Sequence, residues 1–429
     1  MSKKLAPQLP RPSQAHHNEV WFVLGRESRI SAAEIAAYLN LDNTTLKIEG
    51  KLLRLDLPGV DPAMINNLGG TVKLGTRLYE DNVIKNKEDL IRLIIQYFED
   101  EPERKKDFGM SIYYENNLDH SSEENLNELG KSVKKILAQK GMSSRYIFDS
   151  ETELSSVSVK KNNLIDKGVE FLILETNNKE YCLAKTIAVQ PFEKFSERDF
   201  DRPGRDDFSG MLPPKLAMMM INLAKADKNK TLLDPFCGSG TVLSEALLLG
   251  FDNVIGTDLY DKAVTDTEKN VQWLKEKNPL ISDFSARVFQ ADVRDLDRKI
   301  NSHAIGSIVT EPYLGLAWRG KIYRAKLDTQ IVELKELYLS AFRTFTKILD
   351  PGAPVVFLIP RFWVNNKWVT IDIKKPILKM GLPPNLLLTM KIFFYTTDRG
   401  NRWHEKSGDL GINMEITNIA IFDDVVLPF

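Results

Sequence analysis

The stretch Leu232-Leu233-Asp234-Pro235-Phe236-Cys237-Gly238-Ser239-Gly240-Thr241 decides the fold of the second half of the chain. Its apolar residues and carboxylate predict a short strand, and its two glycines predict a tight loop. The residues from 242 to 249 favour a helix that stops at Gly250. Glycines in such a loop let the backbone approach a ligand closely. The order of strand, glycine loop and helix predicts a cofactor loop, with a purely structural turn as the alternative.

Three further apolar segments predict strands that end in polar residues. The segment 253–257 ends at Asp258, the segment 286–290 leads to Asp292, and the segment 306–309 leads to Thr310. In a doubly wound sheet the carboxyl ends of parallel strands meet at one crevice, where ligands bind. Asp258 could accept hydrogen bonds from both ribose hydroxyls of an adenosine, or it could cap the helix that follows.

The glycine loop resembles motif I of the S-adenosylmethionine-dependent methyltransferases, particularly those that modify amino groups of nucleic acids. Nicotinamide and flavin enzymes usually carry Gly-x-Gly-x-x-Gly, whereas position 243 here is Leu. The resemblance implies a class I Rossmann-like domain, S-adenosylmethionine as cofactor, and a contact of Asp292 with the adenine amino group; a surface turn is the alternative for Asp292. The candidate cofactor-binding residues are Asp234, Phe236, Gly238, Gly240, Thr241, Asp258, Leu259, Asp292 and Val293.

The segment Thr310-Glu311-Pro312-Tyr313 stands where the amino-methyltransferases carry Asp/Asn-Pro-Pro-Tyr, so the resemblance makes it the catalytic segment. An exocyclic amine has its lone pair delocalised into the ring, and the site must accept hydrogen bonds from that amine. Aligned on Pro312 and Tyr313, Thr310 replaces the acidic or amide residue and Glu311 replaces the first proline. A hydroxyl accepts a neutral hydrogen bond worth roughly 0.5–1.5 kcal/mol, against roughly 1.5–3 kcal/mol for a carboxylate.

We expect Thr310, Tyr313 and the backbone carbonyls of this segment to contact the amine, with Tyr313 stacked on an extruded base. Pro312 forces Glu311 towards extended geometry and presents rigid carbonyls. Glu311 could restore the missing charge, but successive side chains of an extended segment start from opposite sides. An ordinary turn without chemistry is the alternative.

The region before the catalytic domain indicates a more specific family. An Arg/Asp-rich stretch from Phe195 to Asp206 is followed by Pro213-Pro214, which suits the first turn of a helix. This pattern resembles the THUMP-domain tRNA guanine-N2 methyltransferases, and the resemblance covers most of the chain. The domains that it implies are a disordered tail at 1–17, an amino-terminal ferredoxin-like α/β module at 18–80, a THUMP-like RNA-binding domain at 81–190, a linker at 191–212 and a Rossmann-like methyltransferase domain at 213–429.

Local patterns in the amino-terminal half predict individual elements. Ser31 and Glu34 have the spacing of a capping box, which predicts a helix from residue 31 to 39. Alternation in Leu154 to Val159 predicts a strand. Because THUMP modules recognise the acceptor end of tRNA, basic residues here are candidate phosphate contacts, with a solvated face as the alternative. They are Lys131, Lys134, Lys135, Lys140, Arg145, Lys160 and Lys161.

The end of the chain carries two further patterns. Residues 318–324 and 399–404 mix cations with aromatic residues, a combination suited to phosphates and unpaired bases. The segments 386–394 and 414–422 predict a closing pair of strands, and the resemblance implies that they form an antiparallel hairpin.

Composition agrees with an intracellular α/β enzyme. The 429 residues with 43% hydrophobic content can bury two or three cores, and a formal net charge of −1 means that RNA must be bound by a local patch. Only Cys182 and Cys237 are present, which argues against a disulfide framework and for a reducing cytoplasm. Residues 1–17 have no apolar core of a signal peptide, no stretch is long enough for a membrane helix, and no metal-ligand spacing is visible.

The sequence therefore predicts an S-adenosylmethionine-dependent methyltransferase that modifies the exocyclic N2 amine of a guanosine in tRNA. Two alternatives remain open. One is an amino-methyltransferase for ribosomal RNA or DNA on the same core. The other is a catalytically impaired protein that binds cofactor and RNA, for which the departure at Thr310 and Glu311 is the best support.

Overall fold

The protein divides into two compact units that interleave along the chain. The first consists of Met1–Ser28, Leu46–Asn67 and Thr71–Phe192, and the second of Arg29–Thr45, Leu68–Gly70 and Glu193–Phe429. The computed structural model describes residues 18–41, 46–79, 84–101, 106–116, 126–149, 152–205, 211–316, 324–364, 367–380 and 387–394. The segments 318–323, 399–404 and 414–422 of the sequence analysis lie outside these residues.

The elements of the amino-terminal half alternate between strands and helices. The strands are β1 Glu19–Leu24, β2 Ile48–Glu49, β3 Leu52–Asp56, β4 Thr71–Arg77, β5 Asp107–Tyr114, β6 Arg145–Ile147, β7 Val169–Glu175 and β8 Tyr181–Val189. The helices are α1 Ser28–Tyr38, α2 Lys87–Asp100, α3 Leu126–Gln139, α4 Ser156–Lys161 and α5 Phe192–Ser196, with a 3-10 helix at Pro62–Asn67 and a π-helical turn at Glu197–Asp201.

The first unit is built on one sheet of eight strands in the order β2-β3-β1-β4-β8-β7-β5-β6. Pairing between β4 and β8 joins the strands of the predicted ferredoxin-like module to those of the predicted THUMP-like domain. Helices α2 and α3 bury apolar side chains, among them Phe98 and Leu129, against Phe108 and Phe171 of the sheet. The predicted boundaries of these two domains stay a prediction.

Two local predictions in this half are wrong. The residues predicted as a strand, Leu154 to Val159, lead into helix α4, because the Ser155 hydroxyl accepts a hydrogen bond from Ser158 N at 3.1 Å and caps it. Ser31 is not the N-cap of α1, since the helix begins three residues earlier, at Ser28. Glu34 therefore does not form the capping box that its spacing predicted.

The second unit contains the predicted doubly wound sheet. Its strands are β9 Leu232–Asp234, β10 Asn253–Asp258, β11 Ser285–Gln290, β12 Ser307–Thr310, β13 Val355–Val364, β14 Lys367–Thr370 and β15 Leu387–Phe394. Its later helices are α6 Pro214–Ala224, α7 Thr241–Leu248, α8 Asp261–Lys277, α9 Arg324–Ile348 and α10 Lys374–Leu378, with 3-10 helices at Pro279–Ile281 and Val293–Arg298.

The strands run in the order β11-β10-β9-β12-β13-β14, and the first five are parallel to one another. Helices α6, α7 and α8 pack on one apolar cluster and α9 on another. Successive strands proceed outward from β9 on one side and from β12 on the other, so the topological switch point lies between β9 and β12. The buried Met218–Met220 run fills part of the core of this unit.

The first of the two predicted closing strands is present as β15. β15 runs parallel to β13, and the antiparallel partner of β13 within the described residues is β14. The second predicted strand of the hairpin, 414–422, cannot be compared because it lies outside the described residues.

Candidate active site

The glycine loop connects β9 to α7 at the switch point. Gly238 has φ of +53° and Gly240 has φ of +80°, a conformation that glycine adopts without strain. A Cβ at Gly238 would meet no atom within 4 Å, so open space faces this residue. At Gly240 a Cβ would lie 2.7 Å from Thr267 Cγ2. The loop thus presents bare backbone on one side and packs tightly on the other.

The back of the loop is held by hydrogen bonds from α8 and from the linker. Thr267 Oγ1 donates to the Gly238 carbonyl at 2.8 Å, and Asn270 Nδ2 donates to the Ser239 carbonyl at 2.8 Å. Arg202, which is 5% exposed, donates from Nη1 to Thr241 Oγ1 at 2.6 Å. The hydroxyl of Thr241, a candidate cofactor residue, therefore accepts a hydrogen bond from the linker.

Asp258 ends β10 beside this loop. One carboxylate oxygen accepts from Gly238 N at 3.0 Å and the other from Tyr260 N at 3.0 Å. The N-cap of α8 is Tyr260, so Asp258 does not cap that helix. Each carboxylate oxygen keeps a further lone pair, which leaves Asp258 able to accept hydrogen bonds from two ribose hydroxyls. The following Leu259 is half exposed and adds apolar surface next to it.

Asp292 lies beyond the end of β11 and is tied to its neighbours. Its carboxylate accepts from Arg294 N at 2.9 Å, forms an ion pair with the Arg294 guanidinium, and caps the 3-10 helix Val293–Arg298. Arg294 holds the pKa of Asp292 below its usual value. The turn that was the alternative for Asp292 is therefore formed, while the contact with adenine stays a prediction. The side chain of Val293 is buried in the core.

Asp234 and Thr310 form a buried pair between the ends of β9 and β12. Thr310 Oγ1 donates to Asp234 Oδ1 at 2.6 Å, and both residues are at most 2% exposed. Burial is the largest cause that raises the pKa of Asp234 to about 7. Phe236, partly buried in the same loop, donates its backbone N–H to Asp234 at 3.2 Å. The Thr310 hydroxyl is thus hydrogen-bonded to Asp234, the residue at which the glycine loop begins.

Glu311 is the first residue after β12, and its side chain is partly buried. Burial raises its pKa to about 7, and it has no hydrogen-bond partner among the residues that the structure describes. Pro312 is buried, whereas Tyr313 is 51% exposed. Tyr338 OH donates to the Tyr313 carbonyl at 2.7 Å. This hydrogen bond from α9 fixes the Tyr313 carbonyl. The Glu311 carboxyl remains able to accept a hydrogen bond from a bound group.

Four strand ends place these side chains at one edge of the sheet, as the sequence predicts. The sequence did not predict three residues that support the site. Arg202 and Asn270 donate hydrogen bonds to the glycine loop, and Tyr338 donates one to the catalytic segment. Arg202 belongs to the Arg/Asp-rich stretch and so gave a weak signal, whereas Asn270 and Tyr338 lie within long helices and gave none. Among the described residues there is no group of three His, Cys, Asp or Glu side chains that could hold a metal ion.

Comparison with known proteins identifies the class of this domain. Residues 202–360 match the family model described as the RMKL-like methyltransferase domain, and this part of the chain is a methyltransferase domain. A second model, described as DNA methylase, matches residues 64–269. The sequence predicts S-adenosylmethionine as the methyl donor of this domain. The open backbone at Gly238 and the carboxylate of Asp258 fit the adenosyl part of that cofactor.

Relatives extend the likeness beyond this domain. The chain is 34% identical over 169 residues to the tRNA (guanine(10)-N2)-dimethyltransferase of Methanothermobacter thermautotrophicus, a match that covers 37% of this chain and 46% of the relative. It is 27% identical over 305 residues to the enzyme of the same name from Methanocaldococcus jannaschii, covering 68% of this chain and 81% of the relative. The chain thus spans about half the length of the first of these relatives.

A solved structure is similar as well. The crystal structure of TrmN from Thermus thermophilus shares 18% identity, with a TM-score of 0.49 over 86% of this chain and 92% of that one.

Among the described helices, none is long and apolar enough to cross a membrane.

Proposed function

We propose that this chain transfers methyl groups from S-adenosylmethionine to the exocyclic N2 amine of a guanosine in tRNA. Two curated relatives whose names state a tRNA guanine-N2 activity support the substrate. The single observation that carries the chemistry is the convergence of strand ends, which brings the glycine loop, Asp258 and the segment from Glu311 to Tyr313 to one edge of a parallel sheet. A nucleophile held by that segment would lie next to a cofactor held by the loop.

Glu311 is the residue to which we assign the contact with the amine. Its carboxyl group has no hydrogen-bond partner among the described residues, whereas Thr310 is 0% exposed and its hydroxyl is hydrogen-bonded to Asp234. A carboxylate that accepts a hydrogen bond from the amine draws the nitrogen lone pair out of the ring and orients it. The departure from Asp/Asn-Pro-Pro-Tyr therefore does not remove the carboxylate; it moves it by one residue.

Tyr313 and Tyr338 would complete the substrate side. The half-exposed ring of Tyr313 supports stacking on an extruded base, and the hydrogen bond from Tyr338 fixes the backbone on which that ring is carried. The buried tyrosine thus acts as a positioning residue. Its hydroxyl gives the Tyr313 carbonyl a hydrogen-bond donor.

The transfer is a single displacement. When bound, S-adenosylmethionine supplies a methyl group made electrophilic by its sulfonium. The amine nitrogen forms the new bond to the methyl carbon while the carbon–sulfur electrons return to sulfur, and S-adenosylhomocysteine is released. The amine proton passes to the Glu311 carboxylate, whose raised pKa near neutrality suits both accepting and returning a proton.

The first unit would supply the grip on tRNA, as the resemblance to THUMP modules implies. Lys134 and Lys135 are exposed on α3, and no ion pair is found for them in the part of the chain that the structure describes. Lys131, Lys140 and Arg145 each form an ion pair, which lowers their value as phosphate contacts. We place the activity in the cytoplasm, a proposal that the free thiols of Cys182 and Cys237 support.

The test is methyl transfer from labelled S-adenosylmethionine to purified tRNA, followed by nucleoside analysis. Label in N2-methylguanosine or N2,N2-dimethylguanosine supports the proposal and shows how many methyl groups are added. Cofactor binding without transfer to any nucleic acid would instead indicate an impaired binding protein.

A DNA or ribosomal RNA substrate is a second candidate, because one of the matching family models is described as DNA methylase. The same assay with duplex DNA and ribosomal RNA separates the substrates. Label in an adenine amine of DNA, with none in tRNA, would replace the proposed function.

A further inference from the structure

A groove lies beside the catalytic segment, outside the cofactor loop. Its volume is about 370 Å³, and it runs between the segment 313–316 and one face of α9. Tyr313, Leu316, Gln330 and Leu334 are among the residues that line it. None of the candidate cofactor residues lines it. The groove is large enough for a small planar molecule, since small-molecule sites span roughly 300–1,000 Å³.

Gln330 is the unusual residue of this groove. It is 6% exposed, and neither its Oε1 nor its Nε2 has a hydrogen-bond partner among the described residues. Buried amides are nearly always hydrogen-bonded in folded proteins, so a donor and an acceptor left over at a groove point to a ligand that satisfies both. A Cβ at Gly315 would lie 2.1 Å from Gln330 Nε2, so the amide packs directly on the loop that follows the catalytic segment.

The walls of the groove suit an aromatic base. Tyr313 is 51% exposed and Leu316 is 69% exposed. Leu334 and Leu337 extend the apolar surface along α9, and the exposed Lys326 and Glu333 add one charge of each sign among the lining residues. An aromatic ring, apolar side chains and one amide together match a planar heterocycle with a polar edge.

We propose that Gln330 reads the N1–H and O6 edge of the extruded guanine. This inference rests on the proposed function and names the specificity-determining residue of that site. The carboxamide oxygen accepts from guanine N1–H while the carboxamide nitrogen donates to O6. These two contacts leave the adjacent N2 amine free to face Glu311.

The chemistry of the other bases explains why this contact selects guanine. Guanine is the base in which an exocyclic amine adjoins an N–H and a carbonyl on one edge. With its amine directed at Glu311, adenine offers the amide only the N1 acceptor, and cytosine offers two acceptors, of which one would face the amide oxygen. Uracil carries no amine. A site built to hydrogen-bond a substrate rejects analogues that lack the groups it binds.

The test compares two acceptors in two proteins. A tRNA transcript carries guanosine or 2-aminopurine riboside at the methylated position; 2-aminopurine keeps the amine but lacks both O6 and the N1 proton. Gln330→Leu keeps a similar volume without hydrogen-bonding groups, and Gln330→Glu keeps the size and an acceptor but loses the donor. Gln272→Leu, at an exposed glutamine of α8, is the matched control.

We expect Gln330→Leu to lower kcat/KM for the guanosine transcript by roughly ten- to a hundredfold, with the KM for S-adenosylmethionine unchanged. The preference of the wild-type protein for guanosine over 2-aminopurine should shrink in both Gln330 variants and persist in Gln272→Leu. Unfolding curves verify that the variants fold. If the wild-type protein methylates tRNA but both Gln330 variants keep its rate and its preference, the inference is wrong and the proposed function stands. If the wild-type protein transfers no methyl group to tRNA, the proposed function fails and the inference fails with it.

Discussion

The pH dependence of methyl transfer should report the ionisation of Glu311. Burial raises its pKa to about 7, and the form that accepts a hydrogen bond from the amine is the carboxylate. The carboxylate fraction of a group with this pKa is about 10% at pH 6 and about 90% at pH 8. We therefore expect kcat at saturating cofactor and tRNA to rise about tenfold between these values. Glu311→Gln should remove this rise, because an amide does not titrate, and should lower the plateau roughly tenfold, since a neutral acceptor binds the amine more weakly.

Asp234 is the group that could imitate this behaviour, because burial also raises its pKa to about 7. Thr310→Val removes the hydrogen bond to Asp234 without touching Glu311, and it should move the pH profile little. Single-turnover rates from pH 5.5 to 8.5 on the wild-type protein and both variants separate the two carboxylates. A Glu311→Gln protein that keeps the tenfold rise would refute the assignment of Glu311 as the acceptor.

Three further predictions concern cofactor binding and stability. Asp258→Ala should weaken S-adenosylmethionine binding by roughly ten- to a hundredfold in calorimetry, and an unchanged Kd would show that this carboxylate does not touch the ribose. Gly240→Ala places a Cβ 2.7 Å from Thr267 Cγ2 at a positive φ, whereas Gly250→Ala has the same kind of backbone with open space, so the first should lower Tm more than the second. Glu34 has its pKa raised from 4.5 to about 7 by burial, so the stability it confers is complete below pH 4.5 and is lost as the pH rises through 7. Between pH 5 and pH 8, the free energy of unfolding measured in urea should therefore fall by about 2–3 kcal/mol more in the wild-type protein than in Glu34→Gln. Equal falls in the two proteins would contradict this prediction.

The parallel sheet could be predicted because its signals are local. A short apolar run, a polar strand end and a following turn are each readable within ten residues, and parallel strands necessarily bring their ends to one edge. The glycine loop from Asp234 to Thr241 was predicted with its neighbours on these grounds. The methyltransferase class follows from the same residues.

What could not be predicted depends on contacts between distant residues. Nothing near Thr310 in the sequence shows that its hydroxyl serves Asp234, which lies 76 positions earlier. The alternation in Leu154 to Val159 is typical of a strand, yet the cap at Ser155 and the surrounding packing favour a helix. The orphaned amide of Gln330 is likewise visible only when α9 is placed against the catalytic segment.

Glu34 was predicted as half of a capping box, and it instead joins three segments of the second unit. Its carboxylate accepts from the backbone N–H groups of Gly69 and Gly70 and from Asn222 Nδ2, each at 2.8 Å. A capping box is recognised from spacing alone, and that spacing also occurs inside a helix. Burial of the whole side chain, at 0% exposed, is set by residues that lie far away in the sequence.

The interleaving of the two units limits how such a protein can be divided. Residues 29–41 and 68–70 precede the linker, yet they belong to the unit of the methyltransferase sheet, where Ile30 joins the apolar cluster of α6 and Glu34 is hydrogen-bonded to Asn222. A fragment that began at residue 193 would leave an apolar patch and the Asn222 amide in water. Gene fusions that exchange the two halves at this junction would therefore yield aggregation-prone catalytic fragments, and a recombination site that preserves folding must carry the first seventy residues along with the enzyme.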